Sequence, residues 1–591
     1  MGFGWLGFGW LARCGALGFV LATACIAIPP AHAQEPTSLS VTERLIELLV
    51  QKGVLPRDQA DALLKQAQAE ARSAAKSRPA ASAAASGPAA SAATSGKPGK
   101  APPAEAAAAA PAEPAVPPGT VRVTYVPQIV RDQIAAQVRE QVMQQAKADG
   151  WAVPNQLPEW VQRITVFGDM RLRGEGDFFP HDNAADFVDF ATLNSGSPFD
   201  VTGASGGPPL LDTTEDRWRA RLRARIGVRA QIDDGLSAEI RVATGNDDSP
   251  VSTNQTLGQS GPFAKYALWL DRGFIKFTPI EQVTLWAGRM PNPFWTTDLI
   301  YYDELGFDGF AVTGHQRVFD GLSGFGTIGA FPVFNTAFNF GTTANYPSRD
   351  AWLFGVQGGG EWRITPDYAA KLAAGYFDYS NIQGALSSPC LILVPSDTCS
   401  TDNTRTVLTS TGNTMMALRN LVTNPANPSG PQPQYFGLAS AFRVLDLHGR
   451  FDIDTFKPVG IALETEFSDN LGFNAAGVES RGVNNFGSNN VVQAGNKAWM
   501  VRVTVGTPEI VQRWDWNVSL TYKYLESDSV LAALNDPDFH LGGTNAKGFI
   551  LAGNLGIARN AWITARWFSS NQVSGPVYVV DTVQADLNVR F

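Results

Sequence analysis

The sequence predicts an all-β transmembrane barrel of about 16 antiparallel strands, preceded by a small α-helical periplasmic region. Three observations carry that expectation. From Ile164 onward apolar and polar residues alternate with period two. Aromatic residues sit at the ends of the alternating segments, and short turns alternate with long polar loops. Composition agrees: only 17% of the 591 residues are charged, against about 25% in soluble proteins. The net charge of -9 argues against nucleic-acid binding, which leaves a basic footprint.

The chain divides into five stretches. Residues 1–33 read as an export signal, with Arg13 before an apolar run and Ala31-His32-Ala33 as the cleavage pattern. Residues 34–77 read as a periplasmic helical hairpin: Ser40-Val41-Thr42-Glu43 has capping-box spacing, and Gly53 and Pro56 separate two apolar-faced helices. Residues 78–119, dominated by Ala and Pro, cannot bury enough apolar surface to order themselves and form a linker. Residues 120–160 hold an amphipathic helix and the lead-in to the barrel. On that helix Val130, Ile134, Val138 and Val142 recur every four residues, a stripe suited to self-association as a coiled coil. Residues 161–591 form the barrel.

Strands are expected near 162–174, 216–232, 235–246, 263–279, 282–290, 306–315, 322–330, 350–364, 367–379, 441–454, 458–468, 495–506, 513–526, 547–557, 560–569 and 580–591. The last of these sets Val583, Ala585, Leu587, Val589 and Phe591 against Gln584, Asp586, Asn588 and Arg590. The span from Trp514 to Tyr524 covers about 25 Å of height once tilted, enough for the apolar band of an outer membrane. A barrel of this size encloses a water-filled lumen, whereas about eight strands are filled by side chains. Past the export signal, Cys390 and Cys399 are the only cysteines, and in an oxidising compartment they most simply close a small disulfide loop.

The most informative strand runs from Asp216 to Arg229. With Trp218, Leu222, Ile226 and Val228 facing lipid, Arg217, Arg219, Arg221, Arg223, Arg225 and Arg229 point into the lumen. The opposite register would place them in hydrocarbon at ~2–4 kcal/mol each. Arg171, Arg173 and Arg241 join this wall from neighbouring strands, opposed locally by Asp169 and Glu239. Two uses of the wall are open: guiding anions or dipolar solutes, or keeping the lumen wet and pairing with loop carboxylates. The connection from Pro291 to Leu305 offers Asp298, Asp303 and Glu304, which are expected to face the arginine wall if that loop folds inward. The one candidate for acid–base chemistry is inward-facing His448, between Asp446 and Arg450 with Asp452 on the same strand, and it reads as lumen lining. No catalytic, cofactor or metal site is expected.

Several longer stretches together resemble the putative porin family of Gram-negative outer membranes. They are Gly150-Trp151-Ala152-Val153-Pro154-Asn155, Leu157-Pro158-Glu159-Trp160, Gly168-Asp169-Met170-Arg171, Ala287-Gly288-Arg289-Met290-Pro291-Asn292-Pro293-Phe294, Asp536-Pro537-Asp538-Phe539 and Thr544-Asn545-Ala546-Lys547-Gly548. The resemblance implies a cell outer-membrane porin passing small hydrophilic solutes or ions, with lipid as its surroundings. A homotrimer is suggested by general porins and by the helix stripe. The rival expectation is an anchor whose amino-terminal helices bind peptidoglycan or a periplasmic partner.

Overall fold

The computed structural model describes residues 159–591, apart from 204–205, 247–248, 260, 339, 341–344, 395 and 407–409. The expected export signal, helical hairpin, linker and 128–147 helix lie outside the described residues.

Sixteen long strands form the barrel. They are β1 (Ile164–Phe178), β2 (Arg217–Asp233), β3 (Leu236–Ala243), β4 (Trp269–Ile280), β5 (Val283–Pro291), β6 (Gly306–Phe319), β7 (Leu322–Phe334) and β8 (Ala351–Thr365). Then follow β9 (Tyr368–Ser380), β10 (Phe442–Ile453), β11 (Gly460–Asn470), β12 (Lys497–Gly506), β13 (Trp516–Leu525), β14 (Ala546–Ala558), β15 (Ala561–Gln572) and β16 (Val579–Arg590). Each pairs antiparallel with its sequence neighbours. The sheet closes where β1 pairs with β16, from Asp169↔Arg590 to Phe178↔Asp581. Closure leaves no unpaired edge, which a strand in hydrocarbon cannot tolerate.

Alternation follows from the two solvents. On β16, Gln584, Asp586 and Asn588 are buried inside the barrel, while Val583, Leu587 and Val589 are exposed on the lipid face. The turns at one end are tight. Gly235 has φ +74°, and a Cβ there would meet the Thr278 carbonyl oxygen at 2.5 Å, so the β2–β3 turn needs glycine. The loops at the other end are long, the longest running from residue 381 to 441 and carrying the Cys390–Cys399 disulfide.

All sixteen expected strands are present, with shifted bounds. β1 runs to Phe178 instead of ending at 174, which brings Glu175 and Asp177 onto its inward face. β3 ends at Ala243 and β4 starts at Trp269. β13 starts at Trp516, because Trp514, in the turn before it, takes a positive φ of 74° and donates its N–H to the carbonyl of Gly556 on β14.

The apolar core sits inside the barrel. Loops 292–305, 381–441 and 526–545 fold inward and pack against inward-facing apolar residues of one part of the wall. Phe294 meets Phe377 edge to face at 5.0 Å, and the Tyr301 hydroxyl lies 2.9 Å from that of Tyr379. The wall made by β1–β3, with β15 and β16 beside it, remains charged.

Candidate functional site: the charged waist of the lumen

On β2 the period of two sends alternate arginines inward, in register with β1: Arg225 lies opposite Asp169, Arg223 opposite Arg171, Arg221 opposite Arg173 and Arg219 opposite Glu175. Gly227 occupies the inward position between Arg225 and Arg229 because the Phe167 ring fills that space, 2.5 Å from where a Cβ would stand. Arg229 in turn lies 5.3 Å over that ring.

The arginines are paired far more than the sequence suggested. Arg217 Nε lies 2.9 Å from Asp177, and Arg219 bonds both Asp177 (3.0 Å) and Glu175. Arg221 reaches Glu175 at 3.3 Å, while Arg223 and Arg225 share Asp169 at 2.7 and 2.8 Å. Arg229 pairs with Glu239 at 2.6 Å, and Arg241 pairs with Asp271. Arg173 is clasped by Asp586 at 2.7 Å and Asp538 at 2.9 Å. Arg566 of β15 joins the same two carboxylates. The expectation that Asp169 and Glu239 alone oppose this wall is therefore corrected. Ten guanidinium groups, Arg566 included, meet eight carboxylates. Glu175 and Asp177 escaped notice because β1 is longer than expected.

Loop 292–305 does fold inward, and it crosses the interior. Near its start the Trp295 ring stacks on His448 at 3.7 Å, with Lys371 4.4 Å over the ring. Gln357 of β8 bonds both the Trp295 N–H and its carbonyl at 2.8 Å. Thr297 donates its N–H to Glu466 of β11 at 3.0 Å. Asp298 then pairs with Arg502 at 2.9 Å and Lys523 at 3.0 Å on β12 and β13. That contact is a correction: Asp298 grips the far wall and does not face the arginines of β2. Burial opposes its charge, but Lys523 and Arg502 hold its carboxyl well below the usual range.

Glu304 is the loop residue that meets the arginine wall. It accepts from Arg223 and, at 3.4 Å, from Arg171, while Thr253 donates its hydroxyl at 2.6 Å. Burial works against its charge, yet Arg223, Arg171 and Arg225 hold its carboxyl at about 2. Asp303 between them is exposed to the lumen. Its carboxyl is pushed up to about 6 by the surrounding protein and by Asp298, although water against an exposed group works to limit that rise.

Loop 526–545 supplies the other half of the waist, through Asp538 on Arg173 and Asp536 on Lys523 at 2.7 Å. Its Asp536-Pro537-Asp538 run carried part of the family resemblance, but nothing in local spacing signals an inward turn. Arg171, Arg173, Glu175, Asp177, Glu304, Lys523, Asp538 and Asp586 are all buried, whereas Arg229 toward one mouth is exposed. The interior is therefore narrowest where loops 292–305 and 526–545 approach β1. Toward the long loops a cavity of about 210 Å³ opens against Arg217, Arg219 and Arg221, faced by Asn246, Ser249, Ser252 and Asn254. His448 is buried, its Nε2 3.3 Å from Glu464 and its Nδ1 3.2 Å from the Trp295 carbonyl; it helps to seat the loop. Among the described residues no group of three or more His, Cys, Asp or Glu is placed to hold a metal ion.

Among solved structures, the chain is similar to a loop-deletion mutant of OmpT, an outer membrane protein of Vibrio cholerae. That match has 10% identity and a TM-score of 0.34, over 73% of this chain and 100% of the other. It is also similar to Pseudomonas putida OprB, at 9% identity and a TM-score of 0.40 over 73% and 96%. The outer membrane channel DcaP of Acinetobacter baumannii matches at 9% identity and a TM-score of 0.34 over 72% and 97%. No curated protein matches the chain. Residues 39–591 match the putative porin family, in keeping with a closed sixteen-stranded barrel that is apolar outside and charged within. The chain belongs to that family and is an outer-membrane porin.

Proposed function

We propose that small hydrophilic solutes and ions diffuse passively through this barrel along the β1–β2 arginine wall, with a mild preference for anions. The observation that carries the reading is the wall's imbalance, ten guanidinium groups against eight carboxylates along the length of the lumen. Excess lining charge raises the local concentration of counter-ions. The pairing also leaves donors over. Arg217 bonds through Nε alone, Arg219 through one amino nitrogen and Arg221 through one. Their remaining amino N–H groups can pass a carboxylate or phosphate from one guanidinium to the next.

Purified full-length protein in a planar bilayer is expected to conduct, with a reversal potential displaced toward chloride under a potassium chloride gradient. A silent bilayer refutes permeation, and a cation-selective pore refutes the role given to the wall. The apolar stripe expected from the sequence at Val130, Ile134, Val138 and Val142 supports assembly as a homotrimer; cross-linking in intact membranes that yields only monomer refutes it.

A further inference from the structure

A second, larger cavity lies among the long loops, bounded by residues of loops 179–216, 381–441, 471–496, 526–545 and 573–578. Its volume is about 520 Å³, within the range of small-molecule sites. Leu541 lines both this cavity and the one against the arginines, so the two adjoin.

The chemistry of the outer cavity differs from that of the inner one. Phe187, Phe190, Phe486 and Tyr578 contribute aromatic rings, and no lysine or arginine lines it among the described residues. Tyr578 is the hub, 5.2 Å from the Phe187 ring and 4.4 Å from the His540 ring. His540 and Tyr578 are both more than nine-tenths buried. His540 bonds Ser570 through Nδ1 at 3.0 Å, and among the described residues no partner takes its Nε2 or the Tyr578 hydroxyl. Burial lowers His540 to about 3, so it is neutral wherever the protein works. The buried Oε1 of Gln572 also has no hydrogen-bond partner among the described residues. Of the two carboxylates that line the cavity, Asp189 is occupied in capping the helix Phe190–Ser195.

Unpartnered neutral donors and acceptors beside aromatic faces suit a ligand with hydroxyl groups around an aliphatic ring. Its C–H face packs on the aromatic rings and its hydroxyls meet the free polar groups. A free carboxylate finds no cation here. We infer that this outer cavity binds a neutral polyhydroxylated ring, a sugar of one or two rings, before it reaches the waist. Passage onward rests on the permeation reading; binding does not.

The test is calorimetric titration of the full-length protein, solubilised in a detergent without a sugar headgroup, with sucrose, glucose and the carboxylate gluconate. Sucrose or glucose is expected to bind, and gluconate to bind more weakly. Tyr578→Phe, which removes the hydroxyl and keeps the ring, and Gln572→Ala are each expected to weaken sugar binding at least fivefold. Neither is expected to alter potassium chloride conductance. Absence of binding by both sugars, gluconate binding as well as the better sugar, or unchanged affinity in both variants overturns the inference. Conductance, read separately in bilayers, reports on permeation whatever the titration shows.

Discussion

Replacing Glu304 with Gln tests the waist most directly. The side chain keeps its shape and can keep its bond to Thr253 Oγ1, which stands at 2.6 Å. What disappears is the one loop charge that neutralises Arg171 and Arg223. Those arginines retain neighbours, Asn254 at 2.6 Å and Asp169 at 2.7 Å, so the barrel should still fold, as heat-modified gel migration would show. An ion passing about 5 Å from the lost charge in water-like surroundings feels a change of ~0.8 kcal/mol, reduced to ~0.5 kcal/mol by screening in about 0.1 M salt. That is about twofold in favour of each anion and about twofold against each cation, or roughly fivefold in the permeability ratio. The assay is reversal potential across a planar bilayer under a salt gradient, compared with the unmodified protein. A folded variant whose selectivity is unchanged, or moves toward cations, refutes the claim that ions pass beside Glu304.

Asp303 should make selectivity depend on pH. A carboxyl raised to about 6 is charged above that value and neutral below it, so anion preference should increase as pH falls from 7.5 to 5, and Asp303→Asn should flatten the profile; an identical profile in the variant defeats this. Reversing charge with Arg221→Glu and Arg223→Glu together should move the reversal potential toward cations, and no movement would mean that the wall is not on the path. Val228→Arg places a charge on the lipid face of β2 and should cost ~2–4 kcal/mol near the midplane, seen as a lower urea midpoint, whereas Thr582→Ser inside the barrel should change little. Removing the disulfide with Cys390→Ser and Cys399→Ser should loosen loop 381–441 by about 2–3 kcal/mol, by the chain-entropy estimate for so short a loop. Limited proteolysis should then cut that loop faster while conductance stays the same.

The sixteen strands were legible because lipid and water impose opposite demands on alternate residues, and each demand is written locally. Val583 and Gln584 announce their faces without reference to anything else in the chain. Strand ends were less legible. Glu175 and Asp177 continue the alternation of β1, but their charge and the loop-like residues after them disguised it, and Trp514 looked like a strand residue until the turn required a positive φ. The waist was legible in half. Local spacing gives the arginine ladder, because neighbours on β2 share one strand. Its partners do not share it: Asp538 and Asp586 reach Arg173 across separations of 365 and 413 residues. Asp298 and Glu304, six positions apart, end on different walls.

That distribution of partners bears on what the wall does. A guanidinium stripped of water and left unpaired at a narrow point would cost several kcal/mol, so a ladder of free arginines is not an arrangement the barrel could hold there. Pairing each one to a carboxylate of the wall or of an inward-folded loop removes that penalty and fixes the geometry, at the cost of most of the field. Selectivity then rests on the small excess left over and on N–H groups turned away from their partners. A pore built in this way should discriminate weakly between simple ions. It should discriminate more strongly between solutes that can and cannot accept bonds from successive guanidinium groups. Comparing acetate with chloride, each corrected for its mobility in free solution, separates the two cases. If acetate permeates no better relative to chloride in the unmodified protein than in the Arg221→Glu, Arg223→Glu variant, the ladder is scaffolding for the waist and nothing more.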